Sequence, residues 1–348
     1  MLSPSTAPLS RTFDAGLVDL DGVTYRGPEP VRHAAESLAL ARADGMRMAF
    51  VTNNASREPE EVAAQLTDLG IAAEPAEVAT AAQAAAALLA ERLPVGSTVL
   101  VVGGRGLVTA VRAAGMTVVS SADDRPDAVV QGFAPDVSWR DLAEAAYAVQ
   151  RGAWHVASNR DITLPNERGL APGNGALVAA VVLATGREPV SAGKPEPAMF
   201  LLAAQRAGSA NPLVVGDRLD TDLAGARAAG FPGLQVFTGV SSARDAVLAP
   251  AAQRPSFIGA DLRSLLEPHP APARGPEGWW ACGDSAARVV SGTVELAPSP
   301  AADGTVSIDA VRSACAAVWS AVDEGTTVDA SRVPDLRVHE PDGDGLDR

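Results

Sequence analysis

Short apolar runs that stop at small polar or acidic residues recur along the chain, separated by longer stretches with apolar positions three and four apart. This alternation predicts parallel strands buried on both faces and linked by helices. The first run ends at Asp19-Leu20-Asp21-Gly22, so a strand closes on a carboxylate and Gly22 opens the turn beyond it. Helical spacing follows over 31–42, then a strand over 46–51 that runs into Thr52-Asn53-Asn54, and a helix over 58–69.

From about residue 77 a second series begins. It predicts helices over 81–92, 107–114, 139–150 and 175–184, and strands over 98–102, 116–119, 128–131 and 154–157. That is enough material for a complete small domain. Gly103-Gly104-Arg105-Gly106 sits between a strand and a helix but lacks the spacing of a nucleotide-binding loop, so it reads as a turn. His155 lies inside an apolar strand and reads as a core histidine rather than a metal ligand.

The first pattern then resumes with a helix over 198–207, a strand over 213–215 ending in Gly216-Asp217, a helix over 223–229 and a strand over 234–237. The proline-rich stretch 267–276 reads as a linker. Beyond it a strand over 288–296 and a helix over 308–322 predict a packed appendage holding three of the five tryptophans, with 341–348 loose. The expected class is therefore α/β: parallel sheets covered by helices, a separate small α/β domain within the chain, and a packed C-terminal appendage.

Composition narrows the partners. Of 348 residues 47% are apolar and only 4% aromatic, so the cores are built from Ala, Val and Leu. A formal charge of −14 opposes nucleic acid and anionic membranes. No basic segment with an apolar run opens the chain, and the longest apolar run, 176–184, is too short to span a bilayer. Two cysteines without ligand spacing, Cys282 and Cys315, suit a reduced cytoplasmic protein. The sequence leaves oligomeric state open, a homo-oligomer included.

Chemistry concentrates where the apolar runs end. Asp19 and Asp21 are two apart on an extended segment, so their side chains share a side and suit one metal and one substrate; taken alone, Asp-Leu-Asp-Gly reads equally well as a polar turn. Thr52, Asn53 and Asn54 can donate to phosphate oxygens or simply cap a helix. Lys194 is held between Gly193 and Pro195, and Gly216-Asp217 is followed by Asp222. A loop-rich run, Ser158-Asn159-Arg160-Asp161 with Pro172-Gly173-Asn174-Gly175, could line a pocket or form a surface loop.

In this order the four motifs Asp-x-Asp, Thr-Asn, Gly-Lys-Pro and Gly-Asp resemble the phosphatases of the haloacid dehalogenase superfamily that carry a large α/β cap. Asn159-Arg160-Asp161 and Pro172-Gly173-Asn174-Gly175 are similar to the 4-nitrophenylphosphatase, phosphoglycolate and pyridoxal phosphatase branch. The appended tail is similar to that of bacterial glycerol 3-phosphate phosphatases with an acetyltransferase-related fragment. The resemblance implies a Rossmann-like three-layer core on a parallel sheet over 12–80 and 187–267, an inserted α/β cap over 81–186, and a small, non-catalytic α+β appendage over 277–340, with a hinge near Thr80 and Arg187. It implies a phosphomonoesterase in which Asp19 is nucleophile and Asp21 general acid and base. Lys194 would offset charge, and Thr52, Asn53 and Asn54 would bind phosphate. Mg2+, or Mn2+ or Co2+, would be held by Asp19, the Asp21 carbonyl and Asp217, with Asp222 behind. Asn159, Arg160 and Asn174 would contact the leaving group. Glycerol 3-phosphate is the expected substrate, with 2-phosphoglycolate or pyridoxal 5'-phosphate as alternatives; a phosphomutase, or a regulatory protein with a silent phosphatase core, are the other readings. The tail lacks the acetyl coenzyme A pyrophosphate motif, which implies no acetyl transfer.

Overall fold

A computed structural model describes residues 1–166 and 168–338. The chain forms two compact units, Met1–Met48 with Ala210–Arg348, and Ala49–Ser209.

In the first unit four strands lie parallel in the order Phe257–Gly259, Gly233–Val236, Pro212–Gly216, Ala15–Asp19. Every residue of these strands is buried, as continuous apolar runs require of a sheet covered on both faces. Register sets the chemistry: Val18 pairs with Val215, so the carboxyl ends of two neighbouring strands arrive side by side. A helix is expected to start at 223; instead Leu219–Leu223 forms a π-turn, with Leu223 N–H donating to the Arg218 carbonyl, before the helix Ala224–Ala228. Such turns insert one residue and re-aim a side chain.

The C-terminal appendage belongs to this unit and differs from expectation in two places. The strand expected over 288–296 is a hairpin, Ser285–Val290 against Thr293–Ala297. Its turn residues Ser291 and Gly292 have φ of 50° and 77°, the left-handed pair that a two-residue hairpin needs to match strand twist. The expected linker is also fastened down: His269 exchanges backbone hydrogen bonds with Ser5 and is buried, and Ala273–Arg274 joins the antiparallel sheet beside Trp280–Cys282. Proline excludes helix but not edge pairing, which is how this stretch became structure. Helix Ile308–Asp323 packs its buried face, centred on the fully buried Trp319, in one apolar cluster with Ala243, Val247 and Ile258. The appendage thus shares its core with the edge of the parallel sheet. Residues 339–348, including the stretch expected to be loose, lie outside the described residues.

The second unit holds a parallel sheet in the order Val190–Ser191, Trp154–Ala157, Ala128–Gln131, Thr98–Val102, Thr117–Val119, and the parallel pairing of Phe50–Thr52 with Val78–Thr80. Helix Ala81–Arg92 begins where expected because Thr80 and Gln83 cap each other's backbone N–H groups. The expected turn at Gly103–Gly106 is shorter: the helix already starts at Arg105, with Gly106 N–H donating to the Ser56 carbonyl. A hairpin, Thr163–Asn166 with Gly169–Pro172, precedes helix Asn174–Thr185.

Candidate active site

In the first unit the strand ends assemble three carboxylates. Asp19 ends its strand, Asp217 follows Gly216 on the neighbouring strand, and the π-turn brings in Asp222. One oxygen from each lies within 4.8 Å of the others. They are 8%, 0% and 1% exposed. Three carboxylates this close and this buried repel one another, and burial strengthens the repulsion. Hard oxygen donors with excess negative charge match a small divalent cation such as Mg2+.

The surrounding backbone is shaped for this cluster. Val240 N–H donates to Asp217 Oδ2 at 2.6 Å, and Arg218 N–H to Asp222 Oδ2 at 3.1 Å. A Cβ on Gly239 would stand 1.9 Å from Asp217 Oδ2, so only glycine admits the carboxylate there. Asp21 stands apart. It is exposed, on a turn closed by Val23 and Thr24 N–H donating to the Leu20 carbonyl, with Thr238 Oγ1 donating to the Gly22 carbonyl.

The second unit brings the Thr-Asn and Gly-Lys-Pro motifs together. Thr52 is buried at its strand end, and its Oγ1 accepts from Asn54 N–H at 3.2 Å. Asn54 closes the loop, its Oδ1 accepting from the backbone of Ser56 at 2.8 Å and of Arg57 at 3.2 Å. This closes a turn; the helix that follows, Pro59–Asp68, has Glu58 at its N-cap with no side-chain capping bond, so Asn54 does not cap it as the alternative reading expects. Lys194 is buried, with Nζ donating to the Val51 carbonyl at 3.4 Å. Its backbone is held by Asn53, whose Oδ1 accepts from Lys194 N–H at 2.8 Å and whose Nδ2 donates to the Lys194 carbonyl at 3.2 Å.

The residues expected to meet the leaving group are engaged in the protein. Asn159 Nδ2 donates to the Asn53 carbonyl at 2.8 Å, and Asn174 Nδ2 to the Asn159 carbonyl at 2.7 Å; both residues are buried. Arg160 makes an exposed ion pair with Glu188 at 2.8 Å. His155 bonds Gln131 Oε1 through Nε2 at 2.7 Å, and burial lowers its pKa, as a core histidine requires. The Val240 N–H escapes sequence reasoning, because a backbone donor has no side-chain signature.

The chain is similar to known proteins over nearly its whole length. A model for haloacid dehalogenase-like hydrolases matches residues 16–117, and one described as HAD-hydrolase-like matches residues 191–265. The chain is 46% identical over 334 residues to the D-glycerol 3-phosphate phosphatase of Mycobacterium tuberculosis, covering 96% of this chain and 92% of that protein. The crystal structure of the M. tuberculosis glycerol phosphate phosphatase in complex with magnesium superposes with a TM-score of 0.82 at 45% identity, over 97% and 96% of the two chains. An acid sugar phosphatase of Staphylococcus saprophyticus is 36% identical over 262 residues, 74% of this chain and 98% of that one. With the motif residues at its strand ends and a relative this similar along nearly its whole length, the chain belongs to the haloacid dehalogenase-like hydrolase family.

Proposed function

We propose that the protein is a magnesium-dependent phosphomonoesterase that hydrolyses glycerol 3-phosphate to glycerol and phosphate. The observation that carries the reading is the buried triad Asp19, Asp217 and Asp222, together with the 46% identity to a D-glycerol 3-phosphate phosphatase along nearly the whole chain. Asp19, Asp217 and the Asp21 carbonyl would hold Mg2+, with Asp222 completing the acidic pocket. The ion would offset the charge that otherwise keeps a phosphate dianion from a carboxylate.

The chain's own groups divide the rest of the work. Asp19 Oδ attacks phosphorus while the P–O bond to the alcohol breaks, giving an aspartyl-phosphate. Asp21 protonates the departing alkoxide, then takes a proton from the water that cleaves the acyl phosphate and regenerates Asp19. Lys194 offsets negative charge, and the Thr52 hydroxyl and Asn53 backbone N–H donate to the phosphoryl oxygens. Compactness groups 49–80 and 187–209 with the inserted segment. The division we propose for function is a core over 12–80 and 187–267, a specificity cap over 81–186 and a non-catalytic appendage over 277–340. Cytoplasmic residence is part of this reading. Cys282 and Cys315 are buried free thiols, and among the described residues no helix is long and apolar enough to cross a membrane.

The test is phosphate release from glycerol 3-phosphate, 2-phosphoglycolate, pyridoxal 5'-phosphate and sugar phosphates, with Mg2+, with chelator, and with Asp19→Asn. Glycerol 3-phosphate should lead. Chelation should abolish turnover, and Asp19→Asn should lower kcat by about 10^4-fold or more, since it removes the nucleophile. Full activity in Asp19→Asn would overturn the mechanism; another leading ester would overturn the substrate.

A further inference from the structure

The Asn159, Asp161 and Pro172-Gly173-Asn174-Gly175 segments look like a substrate-facing loop in the sequence. Their bonds run elsewhere. Asp161 accepts from Asn53 Nδ2 through both oxygens, at 3.1 and 3.3 Å. The other Nδ2 proton serves the Lys194 carbonyl, while Oδ1 takes the Lys194 N–H. The Asn53 amide therefore pairs with the lysine backbone as a neighbouring strand would. Turned over, it would aim an acceptor at a carboxylate and a donor at an N–H, so Asp161 selects the amide orientation that grips Lys194.

Asp161 is itself fixed from behind. Its N–H donates to Asn159 Oδ1 at 3.2 Å, and its carbonyl accepts from Gly175 N–H at 2.8 Å. A Cβ on Gly173 would lie 2.3 Å from the Asp161 carbonyl oxygen, and one on Gly175 2.3 Å from that of Arg160. The glycines let the start of helix Asn174–Thr185 press on this loop, and Asn174 between them ties the Asn159 carbonyl.

We infer that Asp161 is a positioning residue for the catalytic lysine: acting through Asn53 it sets the backbone of Lys194, and the Pro-Gly-Asn-Gly segment is the clamp that holds Asp161 in place. The inference rests on the phosphatase reading, because it gives Asn53 and Lys194 their importance. It also moves Asn159 and Asn174 from substrate contact to support, leaving the choice of alcohol to other residues.

The experiment compares the full-length protein with Asp161→Ala, Asp161→Asn, Asn53→Ala and the double variant Asp161→Ala/Asn53→Ala. kcat and KM are measured with Mg2+ on glycerol 3-phosphate, 2-phosphoglycolate and 4-nitrophenyl phosphate, and amide hydrogen exchange is followed at Lys194. Asp161→Ala should lower kcat ten- to hundredfold on every ester, with KM and the ester ranking within about twofold, the cost expected of a small misplacement. Asp161→Asn should restore most of it, because its Oδ1 still accepts from Asn53. The double variant should be no worse than Asn53→Ala, and Lys194 N–H exchange should rise in Asp161→Ala. An altered ester ranking would make Asp161 a substrate contact and overturn the inference, as would unchanged kcat and unchanged exchange. If the unaltered protein released no phosphate from any ester, the functional reading would fall. Exchange at Lys194 would still decide whether Asp161 controls that backbone.

Discussion

The first unit contains two buried charged clusters built on opposite principles. Asp19, Asp217 and Asp222 crowd three like charges within 4.8 Å. In the appendage the charges alternate: Arg312 donates to Asp309 Oδ1 at 2.8 Å, to the Ile258 carbonyl at 2.9 Å and to His269 Nδ1 at 3.3 Å. His269 Nε2 donates to the Ser264 carbonyl at 2.8 Å, which leaves Nδ1 as an acceptor and the ring neutral. Cys282 Sγ lies 3.4 Å from Asp309 Oδ1 and is pushed up to about 12 by burial and that carboxylate, so it stays a thiol. The second cluster is complete in itself and fastens the appendage to the sheet edge. The first gathers three like charges at strand ends, a donor set that suits a divalent cation.

Three measurements would break or sharpen this contrast, starting with the largest effect. Arg312→Leu should cost about 2–4 kcal/mol in urea unfolding, because it strands Asp309 and the Ile258 carbonyl beside an apolar side chain. A cost below about 1 kcal/mol would show that the alternating cluster is not a structural joint.

Acidification gives the second. Burial holds His269 down to about 4, with the Arg312 guanidinium contributing, against an unfolded value near 6.5. Between those values the unfolded chain binds the proton first, so stability falls from about pH 6.5 to about pH 4 and is flat in this respect below that. The loss is up to about 3 kcal/mol. His269→Gln should flatten the unfolding free energy over that window relative to the parent; an unchanged slope would remove His269 as its source.

The smallest effect tests the acidic cluster in the opposite sense. Asp217→Asn should raise the stability of the metal-free protein by about 1–2 kcal/mol by relieving like-charge repulsion. The same variant should lose the rise in Tm that Mg2+ gives the parent. If the substitution destabilised the chelated protein, the cluster would be held by bonds that outweigh its repulsion, and the contrast would collapse.

The strands, their polar ends and their order were legible because a doubly covered parallel strand needs an unbroken apolar run, and because a functional strand end breaks that run with a charge. Asp19, Thr52 and Asp217 are legible this way, whereas Lys194 lies in a loop between Gly193 and Pro195 and is singled out only by the order of the motifs. The hairpin turn at Ser291-Gly292 and the pairing of His269 with Ser5 were missed. A two-residue turn inside a β-rich run leaves the apolar pattern nearly continuous, and backbone pairing needs no particular side chain.

By itself the sequence determined the α/β class, the strand ends that carry carboxylates and the motif order that marks the family, since these depend on local periodicity and residue type. The family resemblance already sets Asp222 behind Asp19 and Asp217; tertiary structure decided how near it comes, a π-turn bringing its carboxylate within 4.8 Å of theirs. It also decided that Asp161, 108 residues from Asn53 in the chain, orients that amide against Lys194. Both depend on where two distant backbones meet, and an amide or a carboxylate carries no mark of its partner until the fold brings them within hydrogen-bonding distance.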